Sequence, residues 1–363
     1  MGFKCGIVGM PNVGKSSLFN ALTHSAIAAE NYPFCTIDPN VGVVHVPDPR
    51  LDKIASIVNP KQVLPATMEF VDIAGLVAGA SKGEGLGNQF LAHIRETQAV
   101  AHVVRCFHDD NVVHVSGRVD PLADVEIIET ELALADLETM TRALDKAQKL
   151  GRSGDKSAQV LIQQLQSILE GLNEMRPVRA QDLNEATLAN IKSFNLLTAK
   201  PVVFVANVDE AALDGNDMSA AVAQYARNQG AECVVLCAAL EAELALLEDL
   251  EREEFLGEMG VSEPGLNRFI RAGYQLLGLQ TYFTAGPKEC RAWTIRKNET
   301  APKAAAVIHT DFERGFIRAE VIGYDDFIEY NGESGAQSAG RLRLEGKEYL
   351  VSDGDVMHFR FNV

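Results

Sequence analysis

The stretch KCGIVGMPNVGKSSLFNAL, residues 4–22, constrains what this chain can fold into more than any other segment. Cys5 to Val8 reads as a short apolar strand. Gly9-x-x-x-x-Gly14-Lys15-Ser16 follows at once, and an amphipathic helix starts at about Ser16. This is the strand–loop–helix setting of a phosphate-binding loop. Gly9 and Gly14 let the backbone bend so that its N–H groups converge on phosphate oxygens. The helix N-terminus adds partial positive charge. Lys15 neutralises the β- and γ-phosphates, and the Ser16 hydroxyl ligates Mg²⁺. Asn12, Val13, Gly14, Lys15, Ser16 and Ser17 are the expected nucleotide-binding run.

Two later segments fit the same machine. NYPFCTIDPN (31–40) is a polar loop with prolines, and Thr36 stands where a switch threonine coordinates Mg²⁺ and senses the γ-phosphate. In TMEFVDIAGLVAGASKGEGLGNQFL (67–91) a strand ends at Asp72, which is placed to hold Mg²⁺ through a water. The Gly75 N–H would meet the γ-phosphate, and the glycines after it suit a mobile second switch or a plain surface loop. Ras-like GTPases have a glutamine at the next position to orient the attacking water. This chain has Leu76, and an alkyl group cannot hydrogen-bond a water. Hydrolysis is then slow, or another group positions the water. Asn12 is a candidate ligand for a monovalent cation such as K⁺. His108 and His114 lie in or beside the polar loop of CFHDDNVVHVSG (106–117), and His114 is the preferred water-positioning candidate of the two. Surface histidines are the plain alternative.

The base site reads differently from a GTPase. VFVANVDE (203–210) is an apolar strand running into Asn207, Val208, Asp209 and Glu210, where GTP-binding proteins have Asn-Lys-x-Asp. A second strand in AECVVLCAALEAEL (231–244) ends in Cys237-Ala238-Ala239, the place of a Ser-Ala pair whose backbone N–H touches the base. Guanine offers N1–H and N2–H₂ to one aspartate carboxylate. Glu210 is a methylene too long for that geometry, and Val208 removes the lysine stem that covers the base. A site built for paired hydrogen bonds loses much when polar groups are left unpaired, so guanine selectivity is expected to be lost. Asn207 can still bond purine N7 or the adenine N6 amino group.

No apolar run approaches the roughly 20 residues of a membrane span, and no secretory leader pattern is present. Cys5, Cys35, Cys106, Cys233, Cys237 and Cys290 contain no C-x-x-C pair, so reduced thiols of a cytoplasmic protein are expected. The net charge is −17, and residues 201–278 alone carry 14 acidic against 4 basic side chains. Such acidity argues against a general nucleic-acid coat, and an acidic run is usually a solvated helix face.

GMPNVGKSS, NYPFCTIDPN, DIAGLVAGASKGEGLGNQFL, NVDE and the ending VSDGDVMHFRFNV together resemble the YchF/Obg-like ATPase family, a branch of the translation-factor-related P-loop GTPases. The resemblance covers essentially the whole chain. It implies ATP as substrate in preference to GTP, Mg²⁺, and a hydrophobic replacement of the catalytic glutamine, here Leu76. The family's base motif varies, and Glu210 fits it. The implied fold class is α/β: a nucleotide domain with a mostly parallel sheet (1–123 and 201–278), an inserted antiparallel helical coiled-coil arm (124–200), and a small α+β, ubiquitin-like TGS domain (279–363). The implied partners are the ribosome and ribosomal RNA, with roles in translation and stress response. Contact with membranes or with specific DNA sequences is not expected, and the sequence leaves the oligomeric state open, with a monomer one option.

The residues read by themselves suit that layout. Ile127, Leu134, Leu137, Leu144 and Ala147 form one heptad-like stripe, and Leu161, Leu165, Ile168 and Leu172 form another after a polar turn. They predict a helical pair, either projecting or packed on the main body. The tail from about Leu279 has short β-like runs and one short helix, APKAAAVIH. Its Arg291, Trp293, Arg296, Lys297 and Lys303 are either an RNA contact or a core tryptophan among solvated cations. Three functions remain: an ATPase switch, a GTPase with an unusual base motif, and a nucleotide-gated RNA-binding adaptor with incidental hydrolysis.

Overall fold

The apolar runs found in the sequence become the strands of a computed structural model, which describes residues 3–24, 40–73, 86–151 and 156–362. In chain order its elements are β1 (Lys4–Val8), α1 (Lys15–His24), β2 (Val41–His45), α2 (Pro49–Val58), β3 (Gln62–Leu64), β4 (Thr67–Asp72), α3 (Leu86–Glu96), β5 (Ala99–Arg105), α4 (Pro121–Gly151), α5 (Lys156–Asn173), α6 (Glu185–Ile191), β6 (Val202–Asn207), α7 (Asp217–Asn228), β7 (Glu232–Leu236), α8 (Ala238–Leu244), α9 (Asp249–Glu258) and α10 (Gly265–Leu276). The remainder is β8 (Leu279–Ala285), β9 (Glu289–Arg296), α11 (Ala301–Ile308), α12 (Thr310–Arg314), β10 (Phe316–Ile322), α13 (Tyr324–Glu329), α14 (Glu333–Ser338), β11 (Arg343–Glu345) and β12 (Val356–Phe361). These divide into two units, residues 1–42 with 69–273, and residues 43–68 with 274–363.

The first unit is built on the sheet ordered β2-β4-β1-β5-β6-β7, in which β4, β1, β5, β6 and β7 pair in parallel. β5 and β6 are buried at every residue. That is why both read as near-continuous apolar runs rather than as alternating ones, with the buried His102 inside β5: central parallel strands are covered on both faces. Parallel pairing brings the C-terminal ends of β1, β4, β5 and β6 to one edge, where ligands of open α/β sheets bind. Ile7 lies beside Asp72 in this register, and Arg105 beside Asn207.

The predicted helical pair is α4 and α5. At 31 residues α4 is about 46 Å long. Met140, Ala147, Leu165, Ile168 and Leu172 form its seam, joined by Val178, Ile191 and Leu196 from the return segment. The first four turns of α4 are buried on more than one side, through Asp124, Val125, Ile128, Glu129, Leu132 and Asp136, so this part packs on the main body. Asp136 is fully buried and accepts hydrogen bonds from the Leu197 and Thr198 N–H groups and the Thr198 hydroxyl. A carboxylate inside α4 thereby fixes the return to β6.

The second unit is a six-stranded sheet ordered β11-β10-β12-β8-β9-β3. Tyr282, Ile295, Ala304, Phe316, Val321, Met357 and Phe359 make its core. The sequence reading assigned residues 43–68 to the nucleotide domain, but the structure gathers them with the C-terminal residues. β3 pairs in parallel with β9, and Arg50 of α2 bonds both Asp48 and Asp353. The Trp293 indole N–H donates to the Thr284 hydroxyl, and its ring stacks on Tyr282 with Arg291 over it. Trp293 is therefore a packing residue of this sheet.

Candidate functional site

The loop between β1 and α1 has the backbone that its sequence requires. Gly9 has φ 155°, Asn12 61° and Gly14 96°. A Cβ at Gly9 would overlap the Val103 carbonyl oxygen, and one at Gly14 the Asn207 carboxamide. Both glycines are thus demanded by conformation and by close approach. Lys15 is buried, and its ammonium donates to the Met10 carbonyl at 2.7 Å. Burial lowers its pKa from 10.5 to about 8, opposed by the negative charge of Asp72. Asp72 is itself pushed upward by burial and pulled down by Lys15. Ser16 is exposed at the start of α1. Its hydroxyl and the Asp72 carboxylate are hard oxygen donors of the kind Mg²⁺ takes, so the residues present fit that ion. Thr36, Gly75 and Leu76 lie outside the described residues.

A cavity of about 730 Å³ opens over this loop. Gly14, Lys15, Ser16 and Ser17 line one end. Val208, Asp209, Glu210 and the turn Cys237–Ala239 line the other, with Phe107, His108 and Asp109 alongside. Asn207 joins the two ends. Its Nδ2 donates to the Val13 carbonyl at 2.9 Å and its Oδ1 accepts from the Ala238 N–H at 2.8 Å. The sequence reading gave Asn207 to the base; in the structure its first task is to lash the phosphate loop to the base-side turn. A carboxamide carries two N–H donors, so one remains for a ligand. Val208 is buried, whereas Asp209 and Glu210 are exposed at the start of a short 3₁₀ turn.

His114, the water-positioning candidate, is engaged elsewhere in this structure. It is absent from the cavity lining and 6% exposed. Its Nδ1 accepts from the Ser116 N–H, so Nε2 carries the proton and donates to Asp124 Oδ2 at 2.9 Å. Both ring nitrogens are occupied, Nε2 in holding the loop to α4 and Nδ1 in closing the loop's own turn. His108, the candidate passed over, is exposed and lines the cavity. Asn12 Nδ2 donates to the Val113 carbonyl at 3.0 Å, which ties the phosphate loop to the same segment; its Oδ1 is the atom left for a cation.

Arg105, Phe107 and Asp109 were missed in the sequence. Arg105 is 1% exposed and donates to the carbonyls of Phe107, Asp109 and Val112, with its guanidinium 4.5 Å from the Phe107 ring centre. It shapes the loop that walls the cavity. The signal was an arginine ending an otherwise apolar strand: a buried guanidinium needs several acceptors, and a following loop can supply them.

Among the described residues, Cys5, Cys106, Cys233, Cys237 and Cys290 are free thiols, and no helix is long and apolar enough to cross a membrane. Residues 4–144 match the profile of the 50S ribosome-binding GTPase family. Residues 279–362 match the C-terminal domain of YchF GTPases, itself described as of unknown function. Over the full length of both chains the sequence is 63% identical to the ribosome-binding ATPase YchF of Haemophilus ducreyi, 59% to that of Escherichia coli O157:H7 and 52% to that of Bacillus subtilis. The solved structure of the Schizosaccharomyces pombe YchF GTPase superposes with a TM-score of 0.90 at 37% identity, covering 99% of this chain and 97% of that one. Phosphate loop, altered base motif and full-length similarity agree, and the chain belongs to the YchF family.

Proposed function

We propose that this chain is a Mg²⁺-dependent, ribosome-binding ATPase that prefers ATP to GTP and works as a nucleotide-dependent switch in the cytoplasm. The names of its relatives disagree on the nucleotide, ATPase in the bacterial proteins and GTPase in the fission yeast structure. The observation that carries adenine is the base end of the cavity. Val208 is buried there in place of a lysine, and the first residues of the turn offer exposed carboxylates, Asp209 and Glu210, with Glu210 where guanine needs an aspartate. A carboxylate accepts from the adenine N6 amino group but also from guanine N1–H and N2–H₂, so it is the longer reach of Glu210 and the loss of the covering lysine stem at Val208, not the acidity of the turn, that disfavour guanine and leave adenine favoured.

Lys15, Gly14 and the amides of residues 13–17 bind and orient the phosphates. Ser16, with Thr36, would hold Mg²⁺ directly and Asp72 would hold it through a water, and the bound ion would supply charge neutralisation on the phosphates. Thr36, Asp72, Gly75 and Leu76 form the switch. Leu76 in place of glutamine leaves intrinsic turnover slow. Asn12 Oδ1 with K⁺ is the better supported substitute for the missing water ligand, because both ring nitrogens of His114 are engaged.

The test is a titration with non-hydrolysable ATP and GTP analogues in Mg²⁺, with Glu210→Asp alongside. Tighter ATP binding that weakens relative to GTP in Glu210→Asp supports the reading. Tighter GTP binding by the unaltered protein refutes it and makes the chain a GTPase with an unusual base motif. Ribosomal RNA contact is tested by comparing sedimentation with intact ribosomes and binding to deproteinised ribosomal RNA.

A further inference from the structure

Helix α9 carries a surface that nucleotide chemistry does not use. Residues 248–258 contain six carboxylates and one arginine. Glu248 and Glu251 have a local reason to be there, since they form a reciprocal capping box at the helix start. Glu253, Glu254 and Glu258 have none. They are exposed, and none forms an ion pair among the described residues. Glu254 and Glu258 are a like-charged i,i+4 pair, and Glu258 stands in the last turn, where the helix dipole is negative and no basic residue compensates. The one cation of the segment, Arg252, is turned inward, donating to the Leu244 and Leu247 carbonyls.

Apolar side chains flank these acids. Leu250 is 76% exposed, more than any other large apolar residue described, and Leu246 is 68% exposed. Phe255 is also exposed. At 100° per residue Leu250 and Phe255 lie on opposite flanks of the Glu251–Glu254–Glu258 ridge. Gly257 falls beside Leu250, and a Cβ there would meet nothing within 4 Å. Uncompensated repulsion and exposed leucine both cost stability in the free protein, and they coincide here.

We propose that the α9 ridge docks a lysine- and arginine-rich amphipathic segment of a protein partner. The cations would neutralise Glu253, Glu254 and Glu258, and the apolar face would cover Leu246, Leu250 and Phe255. Nucleic acid is disfavoured, because its phosphates would meet a carboxylate ridge with no outward cation. The inference stands independently of the nucleotide specificity.

The probe is a fluorescein-labelled leucine–lysine peptide in amphipathic helical register, measured by anisotropy against the full-length protein. Glu253→Gln/Glu254→Gln/Glu258→Gln should weaken it by about tenfold. The control Glu96→Gln/Glu170→Gln/Glu348→Gln, equal in charge change and likewise exposed, should weaken it by no more than about twofold. Leu250→Ser/Phe255→Ser should weaken it by a factor that survives high salt. A cooperative thermal transition no lower than that of the unaltered protein, with unchanged nucleotide affinity, verifies that each variant is folded. Equal weakening by both glutamine triples would mean that only net charge is sensed and would overturn the proposal. So would an unchanged affinity in the α9 triple, or a single-stranded RNA oligonucleotide whose binding is lost in that triple.

Discussion

Lys15 offers a quantitative check on the phosphate site. Its ammonium is buried against one carbonyl, and its pKa falls from 10.5 to about 8. At about 1.4 kcal/mol per tenfold, that fall withholds about 3 kcal/mol from the charged form in the free protein. A lysine lowered on folding binds fewer protons when folded. Between about pH 8 and 10.5 its contribution to stability therefore rises with pH, and below about 8 the full cost of the buried charge is present. Nucleotide binding reverses the balance, because phosphate oxygens beside the ammonium favour its charged form and restore the proton. The triphosphate is itself fully ionised above about pH 7. Binding should then take up about 0.1 proton at pH 7, about 0.5 at pH 8 and about 0.9 at pH 9, and Kd should rise about tenfold from pH 7 to 9.

Calorimetric titration of a non-hydrolysable ATP analogue with Mg²⁺, in two buffers of different ionisation enthalpy, reads the proton count directly. Lys15→Met should bind at least about 100-fold more weakly, from the lost charge-assisted hydrogen bonds, and residual binding should show no uptake. Identical heats in the two buffers at pH 8.5, or an affinity flat from pH 7 to 9, would refute the assignment of a half-neutral Lys15 to the phosphates.

Arg105→Ala leaves three loop carbonyls without their donor and should lower stability by about 3 kcal/mol, read as a reduced urea midpoint. It should also weaken nucleotide binding, because the loop it holds walls the cavity; a stable variant with normal affinity would contradict that role. His114→Ala strands the buried Asp124 carboxylate and should cost about 1–3 kcal/mol in thermal or urea unfolding. Full stability with turnover lost and ATP affinity intact would instead return His114 to the water-positioning role.

The parallel sheet of the first unit was readable because local and global requirements coincide there. Cys5–Val8 and Val202–Ala206 are apolar without alternation, and Val100–Val104 is so apart from the buried His102; strands covered on both faces read that way. The stripe Leu161, Leu165, Ile168 and Leu172 of α5 was legible for the same reason, as were Leu137, Leu144 and Ala147 of α4, whereas Ile127 and Leu134 fall outside the cluster of the helical pair and Met140 takes a place in it. Residues 43–68 were not. Nothing local in PRLDKIASIV announces that Arg50 will meet Asp353, or that Gln62–Leu64 will pair beside Glu289–Arg291, about 230 positions later. The helices α12 to α14 are six residues or fewer, too short for periodicity to register.

The site divides along the same line. Gly9, Gly14 and Lys15 carry their roles in a fixed spacing, and the backbone angles return what the spacing asks for. Asn207 looked like a residue that reads a base, because sequence order placed it there. Its geometry assigns it a prior duty: one carboxamide spans from the Val13 carbonyl to the Ala238 N–H, across about 30 positions in one direction and nearly 200 in the other. Removing it would cost both ends of the cavity before any base were lost. A base motif can thus drift at Val208 and Glu210, which only line the pocket, while its asparagine stays bound to the architecture that holds phosphate loop and base turn at one distance.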